Sequence, residues 1–410
     1  MAEVRYMTGQ LQALLTMSHQ EKAQRGLLFT PKEIAQQPGL WIETSRLLKD
    51  KSEEIRAFLS DIISVSRAID GPKVTFVLSG AGSSEFAGRA VERFFKMAFS
   101  PFGVDTRSVP STDIVTDPSW SLPLGDIILV SFARSGDSPE SVAAYKACKK
   151  ARQGMRAMTI TCNPKGRLAR LAEGDSGHMV LTLPELTNDQ GLAMTSSFSS
   201  MVVAAQQFAY LATGNPEGYP GMLDTISRSI ERDIEILAGY ASDLAQRGLR
   251  RAVFIGDGDL YGIALECSLK LQEMSSGKTI CKAETTLGLR HGPMAVIDDE
   301  TLVVYLTSNS SYLRNYQLDL MSEIKMKGLG GSRVALCGEN WSERLSQVCD
   351  IVIDLQTPDI TDSVQGLGYV VFGQLLGLFA SINLGLRPDN PSEDGVISRV
   401  VQGVKIYETD

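Results

Sequence analysis

Short apolar runs alternate with longer amphipathic stretches along most of the chain. The runs from Val74 to Leu78 and from Asp126 to Ser131 have the length of a buried strand, and each leads through a polar turn into a helical pattern. Two further runs, from Arg156 to Thr161 and from Met179 to Leu183, continue the series. Strands that are joined through helices pair in parallel, so the pattern predicts an α/β fold with helices on both faces of the sheet.

The second half of the chain repeats the pattern of the first. Gly256 follows a strand as Gly80 does, at an offset of 176 residues (256 − 80), and Gly338 follows one as Cys162 does, at the same offset (338 − 162). The strand from Asp350 to Asp354 corresponds to the last strand of the first half. A constant offset over several strands indicates an internal duplication. We therefore predict two tandem α/β domains, each a parallel sheet flanked by helices in a three-layer, flavodoxin-like arrangement.

Four segments are predicted from this pattern. Residues 1–50 form a helical N-terminal arm, 51–218 the first α/β domain, 219–388 the second, and 389–410 a C-terminal tail that closes over the active site. The boundary between the domains falls in the Gly- and Pro-rich stretch 214–221.

One uncharged segment, from Ser363 to Leu386, has the length of a membrane-spanning helix. It contains Gln365, Gln374 and Asn383 together with repeated Gly, and no other part of the sequence resembles it. We predict a helix that is buried between layers of the protein, and no membrane partner.

Composition and charge narrow the class of protein. The 410 residues carry a net charge of −8 with no basic block, which argues against nucleic acid and anionic membrane as partners. The start of the chain lacks an apolar signal core, and the six cysteines are scattered without a CxxC pair. These features predict a cytoplasmic protein with reduced core thiols and no zinc site. The glycine turns lack the full GxGxxG pattern, and GxxxxGK[ST] is absent, so a nucleotide site is not predicted.

The helical stretch after the second glycine turn places three charged residues on one face. Glu266, Lys270 and Glu273 stand four and three residues apart, within an arc of roughly 60°. His291, one of three histidines in the chain, follows in a Gly-Pro turn. Two carboxylates, an ammonium and a histidine suit proton transfer on a small polar substrate. The alternative is a salt-bridged surface helix followed by a loop.

Polar turns at the carboxyl ends of the first-half strands form the second candidate element. Gly80–Ser84 and Arg134–Ser138 each lie between a strand and a helix, and the run Thr195–Ser200 opens another helix. Backbone N–H groups and the helix dipole favour an anion at such places, so together the three turns predict a cradle for a phosphate monoester. Taken singly, each is also typical of ordinary helix capping by Ser and Thr.

Four motifs, SGAGSSEFAG, SFARSGDSPES, IALECSLKLQE and LRHGPMAVID, occur in this order between Val74 and the C-terminus. In them the chain resembles the sugar isomerase (SIS) family. It is similar to the isomerase half of glucosamine-6-phosphate synthase, and more similar still to the AgaS group of galactosamine-6-phosphate deaminase/isomerases. The resemblance implies two tandem SIS-type domains and an assembly, at least a dimer, with shared active sites.

The resemblance also implies roles for individual residues. Glu273 would move a proton between C1 and C2 of the sugar, and His291 would open the sugar ring, reaching a neighbouring subunit's pocket. Glu266 and Lys270 match charged residues of the same helix. The residues that would hold the sugar phosphate are Gly82, Ser83, Ser84, Ser135, Ser138 and Thr195.

The chain departs from glucosamine-6-phosphate synthase at three places. It has no room for a glutamine-hydrolysing domain in its first fifty residues. Its phosphate loop has Ala133, Arg134 and Ser135 where that enzyme has serine, glutamine and serine, and we expect Arg134 to add a cationic group for phosphate or to select a different sugar. The lysine that forms a Schiff base in the family falls at about Gly403, and the role is not transferred to Lys405, two residues further on.

These residues and the resemblance together predict hydrolytic deamination and isomerisation of an amino-sugar 6-phosphate, and the resemblance alone implies D-galactosamine 6-phosphate as the first choice. No metal or organic cofactor is required, since the nitrogen of the substrate supplies the imine that accepts the electrons. Two alternatives stay open: an aldose–ketose isomerase of tagatose-6-phosphate type, and a non-catalytic sugar-phosphate sensor.

Overall fold

The computed structural model of the protein describes residues 9–66, 74–152, 154–338, 341–392, 394–401 and 403–407. Within these ranges two five-stranded sheets are present, and all of their strand pairs are parallel. The strands of the first sheet are β1 (Val74–Ser79), β2 (Val104–Ser108), β3 (Asp126–Ala133), β4 (Arg156–Thr161) and β5 (His178–Thr182). The strands of the second are β6 (Arg251–Ile255), β7 (Ile280–Glu284), β8 (Thr301–Leu306), β9 (Ser332–Cys337) and β10 (Ile351–Asp354).

Both sheets have the same strand order. The first runs β2-β1-β3-β4-β5 and the second, read from its other edge, runs β7-β6-β8-β9-β10. This is the flavodoxin-like order, in which the edge beyond the carboxyl ends of the strands receives ligands. The prediction of two tandem α/β domains with parallel sheets is therefore confirmed.

Helices flank the sheets and form the N-terminal segment. The helices before β1 are α1 (Gln10–Thr16), α2 (His19–Arg25), α3 (Thr30–Ala35), α4 (Gln37–Asp50) and α5 (Ser52–Ser66). Those of the first repeat are α6 (Ser83–Arg89), α7 (Glu92–Phe99), α8 (Ser111–Thr116), α9 (Pro118–Ser121), α10 (Pro139–Ala151), α11 (Arg167–Arg170) and α12 (Ser196–Thr213). The connecting helix and those of the second repeat are α13 (Tyr219–Ala245), α14 (Asp259–Met274), α15 (Ser311–Met326), α16 (Ser342–Leu345) and α17 (Asp362–Asn383).

The duplication extends to the backbone of the turn after the first strand of each repeat. Gly82, before α6, has φ 57° and ψ −130°, and Gly258, before α14, has φ 59° and ψ −129°. A Cβ on Gly80 would lie 2.5 Å from the carbonyl carbon of Ser84, and one on Gly256 would lie 2.7 Å from that of Leu260. Only glycine fits these positions without displacing the following helix, so both turns depend on the same pair of glycines.

The chain forms two compact units, and each contains one sheet. The β1–β5 unit comprises the described residues of 39–188, 196–220 and 397–407, and the β6–β10 unit comprises those of 9–38, 189–195 and 221–396. The chain therefore changes unit at five points along its length. The four-segment division drawn from the sequence stays a prediction.

Contacts within each unit show how the outlying segments are held. In the β6–β10 unit the carboxylate of Glu235 accepts the backbone N–H groups of Leu11 and Gln12 at 3.2 and 2.7 Å. In the β1–β5 unit the indole N–H of Trp41 donates to Ser199 Oγ at 2.8 Å, which ties α4 to α12.

Helix α17 is the central helix of the β6–β10 unit. It is long and apolar enough to cross a membrane, but 94% of its most apolar 18-residue window is buried inside the protein. Glycines let it approach α14 closely: a Cβ on Gly373 would lie 2.7 Å from Cys267 Cβ, and one on Gly377 would lie 3.0 Å from the carbonyl oxygen of Lys270. As predicted, this segment is a buried helix, and its glycines place α14 in a fixed position.

Candidate active site

The charged face of α14 is the most strongly constrained part of the candidate site. Lys270 Nζ lies 2.6 Å from Glu273 Oε2 and 3.4 Å from Glu266 Oε1. The side chains of Glu266 and Lys270 are 0% and 1% exposed, whereas that of Glu273 is 23% exposed. The predicted alignment of the three charges on one face is therefore present. The alternative of a salt-bridged surface helix is wrong for Glu266 and Lys270. Both side chains are buried, whereas the ion pairs of a surface helix are exposed to solvent.

The three side chains of this triad differ in their contacts and in their exposure to solvent. Lys270 joins the two carboxylates, and Glu273 is the one that reaches solvent. The ion pair fixes Oε2 of Glu273 and so orients its other oxygen. A carboxylate that is held by an ion pair and is partly exposed to solvent suits the role of a general base.

His291 lies in a turn between two short 3₁₀ segments, Gly288–Arg290 and Pro293–Val296. Its side chain is exposed, and Gly292 after it has φ 113°, a value that favours glycine. Arg290 Nε donates to Glu323 Oε2 at 2.8 Å, which holds the turn on α15. Lys327 and then Arg290 lower the pKa of Glu323 by hydrogen bonding. The turn thus leaves His291 exposed to solvent.

Of the other two histidines, His178 is buried and His19 is exposed, and the thiol of Cys148 is also buried. Burial lowers the pKa of His178 to about 4, and its Nε2 lies 2.8 Å from Thr159 Oγ1. Burial also raises the pKa of Cys148 to about 12. His19 is exposed on α2. In the described part of the chain no group of three or more His, Cys, Asp or Glu residues is arranged to hold a metal ion.

The first polar turn of the β1–β5 unit leads from β1 into α6. Ser83 and Ser84 are buried in the first turn of α6, directly after the left-handed Gly82. The backbone N–H groups of such a first turn have no partner within the helix, and the helix dipole favours negative charge there. The role of these residues in holding phosphate stays a prediction.

The second polar turn combines capping with a contact to the C-terminal tail. Ser138 Oγ accepts the N–H of Ser141 at 3.4 Å, so Ser138 is the N-cap of α10, and Ser135 Oγ accepts the N–H of Asp137 at 3.2 Å. The guanidinium of Arg134 is buried and donates to the carbonyl oxygen of Arg399. Arg134 therefore holds the tail beside this turn in addition to any contact with a ligand.

Thr195 is committed to an internal contact of the β6–β10 unit. Its N–H and hydroxyl donate to Asp189 at 2.7 and 3.2 Å, and its carbonyl accepts from Gln374 Nε2 at 3.3 Å. Its side chain is completely buried. These bonds are structural, and its predicted contact with a sugar phosphate stays a prediction.

A cluster of three carboxylates holds this region together and was not predicted from the sequence. Asp389 accepts the N–H groups of Leu28, Phe29 and Thr30 at the start of α3. The carboxylate of Glu33, on α3, accepts the N–H groups of the chain just after Asp189. Burial first, and then the charge of Asp189, raises the pKa of Glu33 to about 8. No local periodicity marks Glu33 and Asp389, because the groups that they bind are more than 150 positions away.

Lys405 lies in an irregular, exposed segment rather than in a strand. Its ammonium stands 4.8 Å from the ring centroid of Tyr407, over a groove of about 500 Å³ between the tail and α8.

The comparisons with known proteins agree on one family. Residues 245–378 match the family model described as SIS domain. An AgaS protein of Streptomyces coelicolor is 38% identical over 382 residues, 92% of this chain and 95% of that protein. The D-galactosamine-6-phosphate deaminase AgaS of Shewanella sp. (strain ANA-3) is 32% identical over 96% of this chain and 95% of its own length. The crystal structure of tagatose-6-phosphate ketose/aldose isomerase from Escherichia coli superposes with a TM-score of 0.81 and 28% identity, covering 92% of this chain and 96% of that one.

Proposed function

Because the chain belongs to the AgaS family of amino-sugar-phosphate deaminase/isomerases within the SIS-domain proteins, we propose that it deaminates D-galactosamine 6-phosphate. The products are tagatose 6-phosphate and ammonia. The observation that carries this proposal is the triad on α14, in which a buried ammonium orients a partly exposed carboxylate. An unrelated sugar-phosphate sensor has no need of two buried charges beside an accessible carboxylate, since burying charge is costly.

The reaction is a proton transfer followed by hydrolysis. His291 assists opening of the sugar ring, and Glu273 removes the proton from C2 of the open-chain aldehyde, giving an enolamine. Return of that proton to C1 gives the 2-imine of the ketose, and addition of one water releases ammonia. General acid–base groups typically contribute about 10²–10⁴-fold each.

The phosphate is held by the polar turns of the first repeat in this proposal. Gly82, Ser83 and Ser84 supply the start of α6, and Ser135 and Ser138 supply the turn before α10. The left-handed Gly82 and the buried hydroxyls after it support this assignment, since such helix starts favour phosphate. The exposed position of His291 supports the expectation that it serves the pocket of a neighbouring subunit.

The Glu273→Gln variant tests the assignment of the base. Gln keeps the shape of the side chain but cannot take a proton, so we expect ammonia release to fall by about 10²–10⁴-fold while sugar-phosphate binding stays nearly intact. Ammonium detection measures turnover, and calorimetry with an unreactive alditol 6-phosphate measures binding. Glu231→Gln, an exposed residue on α13, is the matched control and should behave as the wild type.

A substrate panel separates deamination from simple isomerisation. The wild-type protein is incubated with hexosamine 6-phosphates and with tagatose 6-phosphate, and both ammonium and aldose–ketose exchange are followed. Ammonium from galactosamine 6-phosphate is the expected result. Exchange of tagatose 6-phosphate without ammonium from any hexosamine 6-phosphate would instead establish the isomerase named for the E. coli relative.

A further inference from the structure

The second repeat contains counterparts of all three polar turns of the first repeat. Gly258 corresponds to Gly82 at an offset of 176 (258 − 82). The strand register identifies the counterpart of the second turn. Ser79 pairs with Ser131 in the first sheet, and Ile255 pairs with Tyr305 in the second. Since 255 − 79 is also 176, Tyr305 is the counterpart of Ser131.

Counting three and four positions on from Tyr305 and from Ser131, Ser308 and Asn309 are the counterparts of Arg134 and Ser135. The third turn precedes the helix that follows the last strand of each repeat. Thr195 stands directly before α12 (Ser196–Thr213), and Thr361 stands directly before α17 (Asp362–Asn383).

The second repeat carries carboxylates where the first has small neutral side chains. Asp257 and Asp259 take the places of Ala81 and Ser83, and Asp362 begins α17 where Ser196 begins α12.

One of these carboxylates binds the turn that matches the first repeat's phosphate turn. Asp362 Oδ1 accepts the N–H of Asn309 at 2.7 Å, and its Oδ2 accepts the hydroxyl of Ser308 at 2.5 Å. Asp259 accepts the hydroxyl of Ser363, so the first and third turns are also joined. The N–H of Asn309 and the hydroxyl of Ser308 therefore already bind an oxyanion, which is the side-chain carboxylate of Asp362.

Two buried polar atoms at the start of α17 lack partners. Gln365 is completely buried; its Oε1 accepts the hydroxyl of Thr357 at 2.6 Å, and its Nε2 has no hydrogen-bond partner among the described residues. Thr361 Oγ1, at the N-cap position, is likewise buried and unpaired within the described chain, and it makes no cap bond. Buried polar atoms without partners are rare in native proteins, so these two distinguish the start of α17 from an ordinary helix start.

We propose that the second repeat keeps the architecture of a phosphate-monoester site and that the carboxylate of Asp362 occupies it. Each chain then binds sugar phosphate in its first repeat alone, because the carboxylates of Asp259 and Asp362 repel a phosphate dianion from the second. The inference rests on the proposed function, since it takes the first repeat's turns as the phosphate site.

Removing the carboxylates should open the second site. In the Asp259→Ser/Asp362→Ser variant both positions take the residue of the first repeat, and Asp319→Ser, at an exposed position on α15, is the matched control. Calorimetric titration with an unreactive alditol 6-phosphate should give one site per chain for the wild type and the control, and two for the double variant. The double variant should retain ammonia release, because the first repeat and Glu273 are unchanged.

A folded, active double variant that still binds one equivalent would overturn the inference. Ser196→Asp gives a second test should the double variant not fold: a carboxylate in the first repeat should weaken alditol-phosphate binding by at least about tenfold, relative to Ser196→Asn. Unchanged binding by Ser196→Asp would also overturn it. Failure of the wild type to bind any alditol phosphate would instead refute the proposed function.

Discussion

Replacing Lys270 by Met tests whether the triad on α14 is a buried charge network. The ammonium lies 3.4 Å from Glu266 Oε1, and both side chains are almost completely inaccessible. At an effective dielectric constant of about 20, the attraction over this distance is about 5 kcal/mol, before the cost of desolvation. Loss of the ammonium leaves the Glu266 carboxylate buried without this counter-charge, and we expect the free energy of unfolding to fall by about 3–5 kcal/mol.

The double variant Lys270→Met/Glu266→Gln separates charge from shape. It removes both buried charges, so most of the stability lost in Lys270→Met should return. Glu273 contributes little to this difference, because its side chain is partly exposed and its ion pair is screened by solvent. Both variants should lose activity, since the orientation of Glu273 depends on the ammonium.

Urea denaturation followed by circular dichroism measures these differences through the transition midpoint. Lys282→Met is the matched control, because Lys282 pairs with Glu284 at 2.9 Å on a partly exposed strand and its loss should cost less than about 1 kcal/mol. The reasoning is refuted if Lys270→Met is as stable as Lys282→Met, or if the double variant is no more stable than Lys270→Met.

Two further predictions concern stability. The pKa of Glu33, raised from 4.5 to about 8 by burial and then by Asp189, means that the native state binds this proton more tightly than the unfolded chain. The contribution of Glu33 to stability is therefore fully present below about pH 4.5 and is lost as the pH rises through about 8. Glu33→Gln should flatten this part of the profile of melting temperature against pH, and a slope equal to that of the wild type would show that Glu33 is not its source. Gly373→Ala should lower the unfolding free energy by about 1–3 kcal/mol, because the new methyl group meets Cys267 on α14. Gly221→Ala, where nothing lies within 4 Å, should be neutral or stabilising in a parallel thermal melt, and equal effects of the two substitutions would contradict the close packing of the helices.

The local pattern of the sequence was sufficient to predict the strands of the sheets and the common face of the charged residues on α14. The strands around Val74 and Asp126 are apolar runs of the right length, and the 176-residue offset between Gly80 and Gly256 reflects turns whose backbones agree within a few degrees at the following glycines. The spacing of Glu266 and Glu273 determines their common face through helix geometry alone.

Burial and long-range pairing could not be predicted in this way. The sequence cannot show that Lys270 is covered, because α17 covers α14 from about a hundred residues away through Gly373. The bond between Asp389 and Thr30 spans 359 positions and leaves no periodic trace. The role of Asp362 becomes visible only when strand register aligns the two repeats.

The five changes of unit along the chain limit how this protein can evolve. A duplicated gene first yields two lobes, each encoded by one uninterrupted stretch of DNA. Here short stretches such as 189–195 belong to the other unit, and each unit is made of three separate segments of the chain. No single cut in the gene can therefore release one unit intact, so neither unit can be transferred to another protein as one continuous piece.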